Sequence, residues 1–200
     1  MISSLTAEKL VCMRGDRKLF GDLSFRVSAG QALAVEGANG AGKTSLLRMI
    51  AGFLAPAAGR IVLKSGDGES ADAEERGKVI GWLGHLDGLK PQLTVREQFD
   101  FFARLYGRKA DENALERVGL SRQAQLPCRY LSAGQRRRLA LARLLASERP
   151  VWLLDEPFAA LDTSGQDMIA QAMARHCGYG GIIIAATHDP LGLGNESLKL

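Results

Sequence analysis

Cysteine is scarce in this chain of 200 residues, with three in all: Cys12, Cys128 and Cys177. An odd number at wide spacing, without a CxxC pair, argues against a disulfide framework and against a cysteine-bound zinc site. Long hydrophobic runs are also missing, since no stretch approaches the roughly 20 apolar residues of a membrane-spanning helix. We therefore expect a protein of a reducing, cytoplasmic compartment that does not itself span a membrane.

The N-terminal residues lack the features of a secretion signal. Met1–Leu10 includes Glu8 and Lys9 and has no apolar core segment, so no signal peptide is expected. Charge of one sign is not in large excess either, because the formal net charge is +4. Such mild basicity suits an acidic ligand, a nucleic acid or an anionic membrane surface without choosing among them. On charge alone, a solvated basic surface is favoured over a nucleic-acid groove.

The apolar pattern predicts an α/β domain. Hydrophobic residues make up 46% and charged residues 24%, which is typical of a single globular domain with one core. A polar loop is expected over Ser65–Gly77. Strands alternate with helices, which predicts a mainly parallel sheet besides a small antiparallel β-region near the N-terminus. The predicted strands are Lys9–Met13, Asp22–Val27, Ala32–Glu36, Arg60–Leu63, Val79–Leu83, Val151–Asp155 and Ile182–Thr187, and the helices are Thr44–Ala51, one from Thr94 and one over Asp111–Val118.

The helix from Thr94 carries its own start signal. Thr94 and Glu97 form a capping-box pattern, T-x-x-E, in which each side chain bonds the other residue's backbone N–H. Apolar residues then recur at helical spacing on one face. This helix opens a helical lobe that we expect to be inserted at about residues 90–135 of the single domain spanning residues 1–200.

A glycine-rich loop follows the predicted strand Ala32–Glu36. It matches G-x-x-x-x-G-K-[ST], and a predicted helix follows it, which is the context that such a loop requires. Glycines let backbone N–H groups point inward at phosphate oxygens, and the helix start adds a partial positive charge. Lys43 would bind the outer phosphates of ATP, and the Thr44 hydroxyl would ligate Mg²⁺. The residues expected to bind nucleotide are Gly37, Ala38, Asn39, Gly40, Ala41, Gly42, Lys43, Thr44 and Ser45.

Two carboxylates follow the buried strand Val151–Leu154. Asp155 is expected near the metal, and Glu156 near the point where a water attacks the γ-phosphate. Acidic pairs after strands are common and can simply end a core strand. Together with the glycine-rich loop, however, they predict hydrolysis of a nucleoside triphosphate, with Lys43 and Glu156 as catalytic residues.

The segment Leu131–Gln135, LSAGQ, resembles the LSGGQ signature of the ATP-binding-cassette (ABC) superfamily, with alanine for the first glycine. The resemblance implies that Ser132, Gly134 and Gln135 bind ATP held by the phosphate loop of a second copy, in a homodimeric sandwich. Ala160–Asp162 resembles the loop that communicates across that dimer. His188 resembles the histidine that contacts the γ-phosphate. An ABC-type fold of the P-loop class, with ATP and Mg²⁺ as cofactors, is therefore expected over the whole chain.

Two positions depart from the ABC pattern. The family generally has a metal-ligating glutamine after the strand that ends at Leu83, and His85 stands there. The family commonly stacks adenine on an aromatic residue, and Arg14 stands at that position. A guanidinium plane can also stack on a base, so Arg14 is a candidate nucleotide-binding residue and an exposed turn residue with equal justification. His85 joins Thr44 and Asp155 as a candidate metal ligand.

Three segments narrow the resemblance to the ATP-binding subunits of haem exporters for cytochrome c maturation: Gly84–Thr94, Leu131–Arg138 and Asp155–Asp162. The resemblance implies an ATPase at the cytoplasmic face of the inner membrane, bound peripherally to integral membrane subunits. Export of another substrate is the alternative. Composition and spacing do not indicate haem, and His176–Cys177 is better explained as a surface pair than as an iron site.

A soluble ABC ATPase acting on nucleic acid is the competing class. Such proteins typically carry two cassettes, long coiled coils or zinc insertions, and this sequence has one cassette and neither addition. No nucleic-acid partner is therefore expected. A P-loop kinase or GTPase would leave Leu131–Gln135 and His188 unexplained.

Overall fold

The computed structural model describes residues 1–85, 87–109, 111, 113–194 and 196–200. This chain divides into two compact units. The first comprises Met1–Trp82, Arg149–Pro157 and Ala172–Leu200, and the second comprises Leu83–Glu148 and Phe158–Gln171. The second unit contains the predicted helical lobe but exceeds the predicted 90–135 at both ends.

Strands and helices alternate as predicted from the third strand onward. Among the described residues, no helix is long and apolar enough to cross a bilayer. Short 3₁₀ turns lie at Ser121–Gln123 and Cys128–Tyr130. The elements in chain order are β1 (Ile2–Arg14), β2 (Arg17–Ser28), β3 (Ala32–Glu36), α1 (Lys43–Ile50), β4 (Ala58–Ser65), β5 (Gly68–Ser70), α2 (Ala73–Val79), β6 (Ile80–Leu83), α3 (Val95–Leu105), α4 (Ala114–Arg117), α5 (Ala133–Ser147), β7 (Val151–Asp155), α6 (Thr163–Gly178), β8 (Ile182–Ala186) and β9 (Glu196–Lys199).

The first unit contains two β-sheets. One is antiparallel with strand order β2-β1-β4-β5, and the other has the order β6-β7-β8-β3-β9 with parallel β7–β8, β8–β3 and β3–β9 pairs. This arrangement confirms the predicted α/β class with a small antiparallel region. Buried apolar residues from both sheets and from α1 form one core. Strands β7 and β8 are buried at every position, which explains their continuous apolar sequences.

The register of the parallel sheet sets where the strands end. Ala186, the last residue of β8, pairs with Asp155 of β7 on one side and with Val35 of β3 on the other. The backbone N–H of Thr187 donates to the Val35 carbonyl at 3.2 Å. The residues that follow these three strands therefore emerge side by side at one sheet edge.

The predicted loop over Ser65–Gly77 is wrong from Gly68 onward, where β5 and α2 lie. The Asp72 side chain caps α2 by accepting from the Glu75 N–H at 2.9 Å. Arg76, which looks like a surface residue in the sequence, is buried. Its guanidinium donates to the carbonyls of Ile50, Ile61 and Ala71. Tertiary backbone acceptors thus stabilise a segment whose polar composition suggested a loop.

The second unit is helical around its own apolar core. The capping box predicted for Thr94 and Glu97 is present, with both reciprocal hydrogen bonds. The helix predicted over Asp111–Val118 is shorter, since α4 covers only Ala114–Arg117; Glu112 lies outside the described residues. The core joins α3, α4, α5 and the turn at Cys128.

His176 is half-buried and packs against a neighbouring ring, so the surface expectation for the His176–Cys177 pair holds only in part. Its ring stacks on Trp152, with centroids 3.9 Å apart and planes 11° apart. A Cβ on residue 181 would lie 2.3 Å from the His176 Nε2, so Gly181 makes room for the ring. Burial lowers the pKa of His176 from 6.5 to about 4, although hydrogen bonds with the backbone of Ile182 and Pro150 partly oppose this shift.

The lowered pKa of His176 predicts an acid-sensitive fold. The unfolded chain takes up a proton below about pH 6.5, whereas the folded chain does so only near pH 4, so stability falls as the pH drops through this window. In His176→Phe the ring stack is kept and the titration is lost. We expect the melting temperature of this variant to fall less between pH 6.5 and 4 than that of the parent, as measured by calorimetry.

The control is His85→Gln, because His85 is exposed. Its melting temperature should follow the parent curve. An unchanged pH profile for His176→Phe would show that the stacked ring does not control acid stability.

Candidate active site

The loop between β3 and α1 owes its shape to three glycines with positive φ angles. Gly37, Gly40 and Gly42 have φ values of 151°, 84° and 112°. Gly42 is the N-cap of α1 and has no side chain with which to cap it. A helix start without a side-chain cap, preceded by a glycine-rich turn, favours an anionic ligand at its N–H groups.

Lys43 is the charge at the centre of this loop. It is buried, at 8% exposure. Its ammonium donates to the Gly37 carbonyl at 2.6 Å and to the His188 Nε2 at 2.9 Å. A buried ammonium at the centre of a glycine-rich loop is suited to a phosphate group.

Thr44 and Asp155 bring two kinds of oxygen ligand together. The Thr44 hydroxyl lies 3.0 Å and 3.2 Å from the two carboxylate oxygens of Asp155. A hydroxyl and a carboxylate are hard oxygen ligands of the type that Mg²⁺ takes when substrate phosphates and water complete its octahedron. Among the described residues no group of three His, Cys, Asp or Glu side chains could hold a metal.

Glu156 follows Asp155 in a strained backbone conformation. Its φ angle is +47°, which is uncommon for a residue with a side chain. The Glu156 N–H donates to the Ala186 carbonyl at 2.8 Å, so β8 holds this conformation. Strain of this kind is concentrated at functional positions. The side chain is 27% exposed, which leaves the carboxylate open to water.

His188 joins the acidic strand end to the glycine-rich loop. Its Nε2 lies 3.6 Å from a Glu156 carboxylate oxygen and 3.3 Å from the Asn39 side-chain oxygen, besides the 2.9 Å contact with Lys43. The structure thus brings three predicted site residues within contact range of the imidazole of a fourth, His188. This convergence is what a γ-phosphate and an attacking water would need.

Arg14 and Ser45 are two further residues that are predicted to bind nucleotide. Arg14 is exposed and pairs with Arg17 across the Gly15–Asp16 turn. This position is compatible with a turn residue and with a base-stacking residue, so its adenine role stays a prediction. Ser45 is half-buried in the first turn of α1. Its side chain hydrogen-bonds the thiol of buried Cys12, whose pKa is raised mainly by burial.

The signature residues lie in the second unit, at the start of α5. The Ser132 hydroxyl accepts from the Gln135 N–H at 3.2 Å, and the Gln135 side chain accepts from the Ser132 N–H at 2.9 Å. This capping box was not predicted, although S-x-x-Q is its pattern. A Cβ on residue 134 would lie 2.9 Å from the Ala160 carbonyl, so Gly134 permits a close approach of the two loops. The action of these residues on a second copy's ATP stays a prediction.

His85 also lies in the second unit, and its side chain is exposed. It lines a cavity of about 520 Å³ together with residues of the first turn of α5 and with Ala159 and Ala160. His85 as a metal ligand stays a prediction.

Phe20 is a residue of the site that sequence reasoning missed. Its ring lies beneath the phosphate loop, where a Cβ on residue 42 would come within 3.0 Å of it. The Gly42 position is thus constrained by packing as well as by its φ angle. No motif marks such an aromatic residue in a sequence, because the contact joins β2 to a loop some 20 residues away.

Comparison with known proteins identifies the architecture. A family model described as ABC transporter matches residues 20–159. Two curated relatives from Rhodopseudomonas palustris, strains BisB18 and BisB5, are named cytochrome c biogenesis ATP-binding export protein CcmA. They are 53% and 49% identical to this chain over 98% of its length and 97% of their own.

A solved structure has the same fold. It is the ATP-binding cassette MJ0796 in a dimeric post-hydrolysis state bound to ADP and Pi. Its TM-score is 0.78 at 24% identity, over 92% of this chain and 88% of that one. At this identity the likeness concerns the fold.

The geometry of residue 42 predicts that Gly42→Ala weakens nucleotide binding. Alanine at a φ of 112° is strained, and its Cβ would lie 3.0 Å from the Phe20 ring, so the loop must shift. With strain of about 1–3 kcal/mol, we expect the Kd for Mg-ATP to rise about 5- to 150-fold. Titration calorimetry would measure it.

Gly66→Ala is the matched control, since its Cβ would meet nothing within 4 Å. It should bind Mg-ATP as the parent does. Parent-like affinity in Gly42→Ala would mean that the backbone of this loop does not form the phosphate site.

Proposed function

The chain belongs to the ABC transporter family, and we propose that it is the ATP-hydrolysing subunit of an export complex for cytochrome c biogenesis. The observation that carries the proposal is the convergence of Lys43, Glu156 and His188, with contacts of 2.9 Å and 3.6 Å at one imidazole nitrogen. The names of the relatives, which include export and cytochrome c biogenesis, support the biological role.

Haem is the cargo that we propose for the complex. The segments Gly84–Thr94, Leu131–Arg138 and Asp155–Asp162, which carry the resemblance to haem exporters, support this assignment. Cytochromes c need haem where they are assembled, so its export is a chemically reasonable task. The cargo would be handled by the membrane subunits, since His176 stacks on Trp152 and its ring is engaged in packing.

The phosphate site works by charge placement. Lys43 and the N–H groups at the start of α1 bind the phosphates and stabilise the charge that builds up as the γ-phosphate leaves. Thr44 and Asp155 would hold Mg²⁺, which would supply positive charge to neutralise the phosphates. These groups are already in place around the loop, so little reorganisation is needed during the reaction.

Glu156 and His188 act on the attacking water and on the γ-phosphate. The Glu156 carboxylate orients the water and accepts its proton. The His188 Nε2, which lies 2.9 Å from the Lys43 ammonium, is placed to contact the γ-phosphate. Glu156 and His188 lie 3.6 Å apart. The water held by Glu156 is therefore next to the γ-phosphate that His188 contacts.

A second copy completes each site in this proposal. Ser132, Gly134 and Gln135 begin α5, and a helix start attracts phosphate. The Ser132–Gln135 capping box orients the Ser132 hydroxyl at that helix start. Two chains therefore enclose two ATP molecules, and hydrolysis reopens the dimer.

Integral membrane subunits are the other partners. The chain would bind them peripherally at the cytoplasmic face of the inner membrane. His85 stands where ABC proteins generally have the glutamine that responds to the membrane partner. We propose that His85 couples turnover to these subunits and contacts Mg²⁺ in the closed state.

Glu156→Gln tests the hydrolytic mechanism. The amide cannot accept the proton, so turnover should fall by at least about 100-fold, while the Kd for Mg-ATP stays within a few-fold. Because hydrolysis reopens the dimer, the variant should elute as a dimer in Mg-ATP on gel filtration. Complementing cells that lack the parent chain with this variant should leave c-type cytochromes without covalent haem, as judged by haem staining.

Glu148→Gln makes the same chemical change at an exposed ion pair with Arg108 and should behave as the parent in all three assays. Parent-like turnover in Glu156→Gln would show that another residue orients the attacking water and accepts its proton. Normal haem staining together with lost turnover would instead reject the cytochrome role.

A further inference from the structure

Three consecutive arginines follow the signature on α5, and they differ sharply in environment. Arg136 and Arg138 are half-buried, whereas Arg137 is 4% exposed. Burying a guanidinium is costly unless it is paired and hydrogen-bonded. The partners of Arg137 therefore indicate what this position is for.

Arg137 binds the loop that carries His85. Its Nη1 donates to the Gly84 carbonyl at 2.6 Å and lies 3.5 Å from the Asp87 carboxylate. The Asp87 side chain is itself only 18% exposed, so this ion pair is shielded from solvent. Gly84 precedes His85 and Asp87 lies two residues after it, so one arginine contacts the chain on both sides of that histidine, through a backbone carbonyl before it and a carboxylate after it.

A second arginine of α5 holds the same loop. Arg143 donates to the Asp87 carbonyl at 2.6 Å. Its guanidinium lies 3.5 Å from the centre of the Phe102 ring, which fixes the side chain against α3. Burial lowers the pKa of Arg143, yet the group stays charged because arginine titrates far above neutral pH. Asp87 is thus bound through its carboxylate and through its backbone.

The same helix begins at the residues proposed to bind the partner's ATP. Arg137 is five residues from Ser132, which is about 7.5 Å along a helix axis. Both ends of this span lie on one continuous helix, Ala133–Ser147 with its N-cap Ser132. A displacement of the signature therefore has a short and rigid route to the His85 loop.

We propose that Asp87 and Arg137 are positioning residues that make the His85 loop move with the signature helix. When the ATP-bound dimer closes at Ser132, the movement is then passed through α5 to the His85 loop, which is proposed to contact the membrane subunits. The inference rests on the proposed function, because it requires ATP to be bound at Ser132. It assigns to the Asp87–Arg137 pair the task of transmitting the nucleotide state.

The test distinguishes a loss of coupling between the signature helix and the His85 loop from a loss of folding. Replacing Arg137 alone would leave Asp87 buried without a counter-charge, so the pair is replaced together, as Asp87→Asn/Arg137→Gln. The background is Glu156→Gln, in which Mg-ATP holds the dimer closed. Hydrogen–deuterium exchange of the peptide covering residues 84–90 is measured with and without Mg-ATP, and gel filtration gives the dimer fraction in the same samples.

The parent background should show an ATP-induced change in deuterium uptake over residues 84–90. Asp87→Asn/Arg137→Gln should form the dimer to the same extent, yet its ATP-induced change should be at least about fivefold smaller. Glu148→Gln, which removes an exposed ion pair from the far end of α5, should respond as the parent does.

Asp87→Asn alone is the second variant, for the case that the double variant does not fold. It keeps the bond from Arg137 to the Gly84 carbonyl and loses the ion pair, so an intermediate response is expected. A parent-sized response in a variant that dimerises would overturn the inference. Unchanged deuterium uptake over residues 84–90 in the parent background, although Mg-ATP induces the dimer, would also overturn the inference. Absence of an ATP-dependent dimer in the parent background would instead contradict the proposed function.

Discussion

The common register of β7, β8 and β3 is the constraint on which the site depends. Asp155, Ala186 and Val35 stand side by side in adjacent parallel strands, so whatever follows each strand emerges at one edge. The acidic pair, the His188 segment and the phosphate loop follow these strands. The parallel pairing of these strands in the buried core holds this register. The chemistry therefore rests on the packing of the parallel sheet.

Electrostatics decides what this edge can bind. Lys43 is buried against the Gly37 carbonyl and the His188 ring, and a buried cation favours an anion strongly. The positive φ angles of the glycines let the backbone surround that cation closely, while Phe20 supports the loop from below. Oxygen ligands from Thr44 and Asp155 stand next to the charge. Phosphate with a hard metal ion is the ligand that satisfies these groups together.

Much of this was predictable because the motifs are local. The glycine-rich loop, the acidic strand end and the Thr94 capping box are read from neighbouring residues, and the α/β class follows from the apolar pattern. The missed features depend on distant partners. The polar composition of α2 predicts a loop, although the Asp72 cap is a usable helix signal, and nothing local in the sequence marks the stack of His176 on Trp152. The Asp87–Arg137 pair spans 50 positions and has no sequence signature.

Phosphate release from Mg-ATP by the purified chain, compared with that of Lys43→Ala, tests the central claim most directly. The account predicts that the parent releases phosphate at a rate per chain that rises with chain concentration, because two copies form each site. It also predicts that Lys43→Ala releases phosphate at least about 100-fold more slowly, since the loop loses the ammonium that would bind the outer phosphates. Parent-like release by Lys43→Ala would contradict the account.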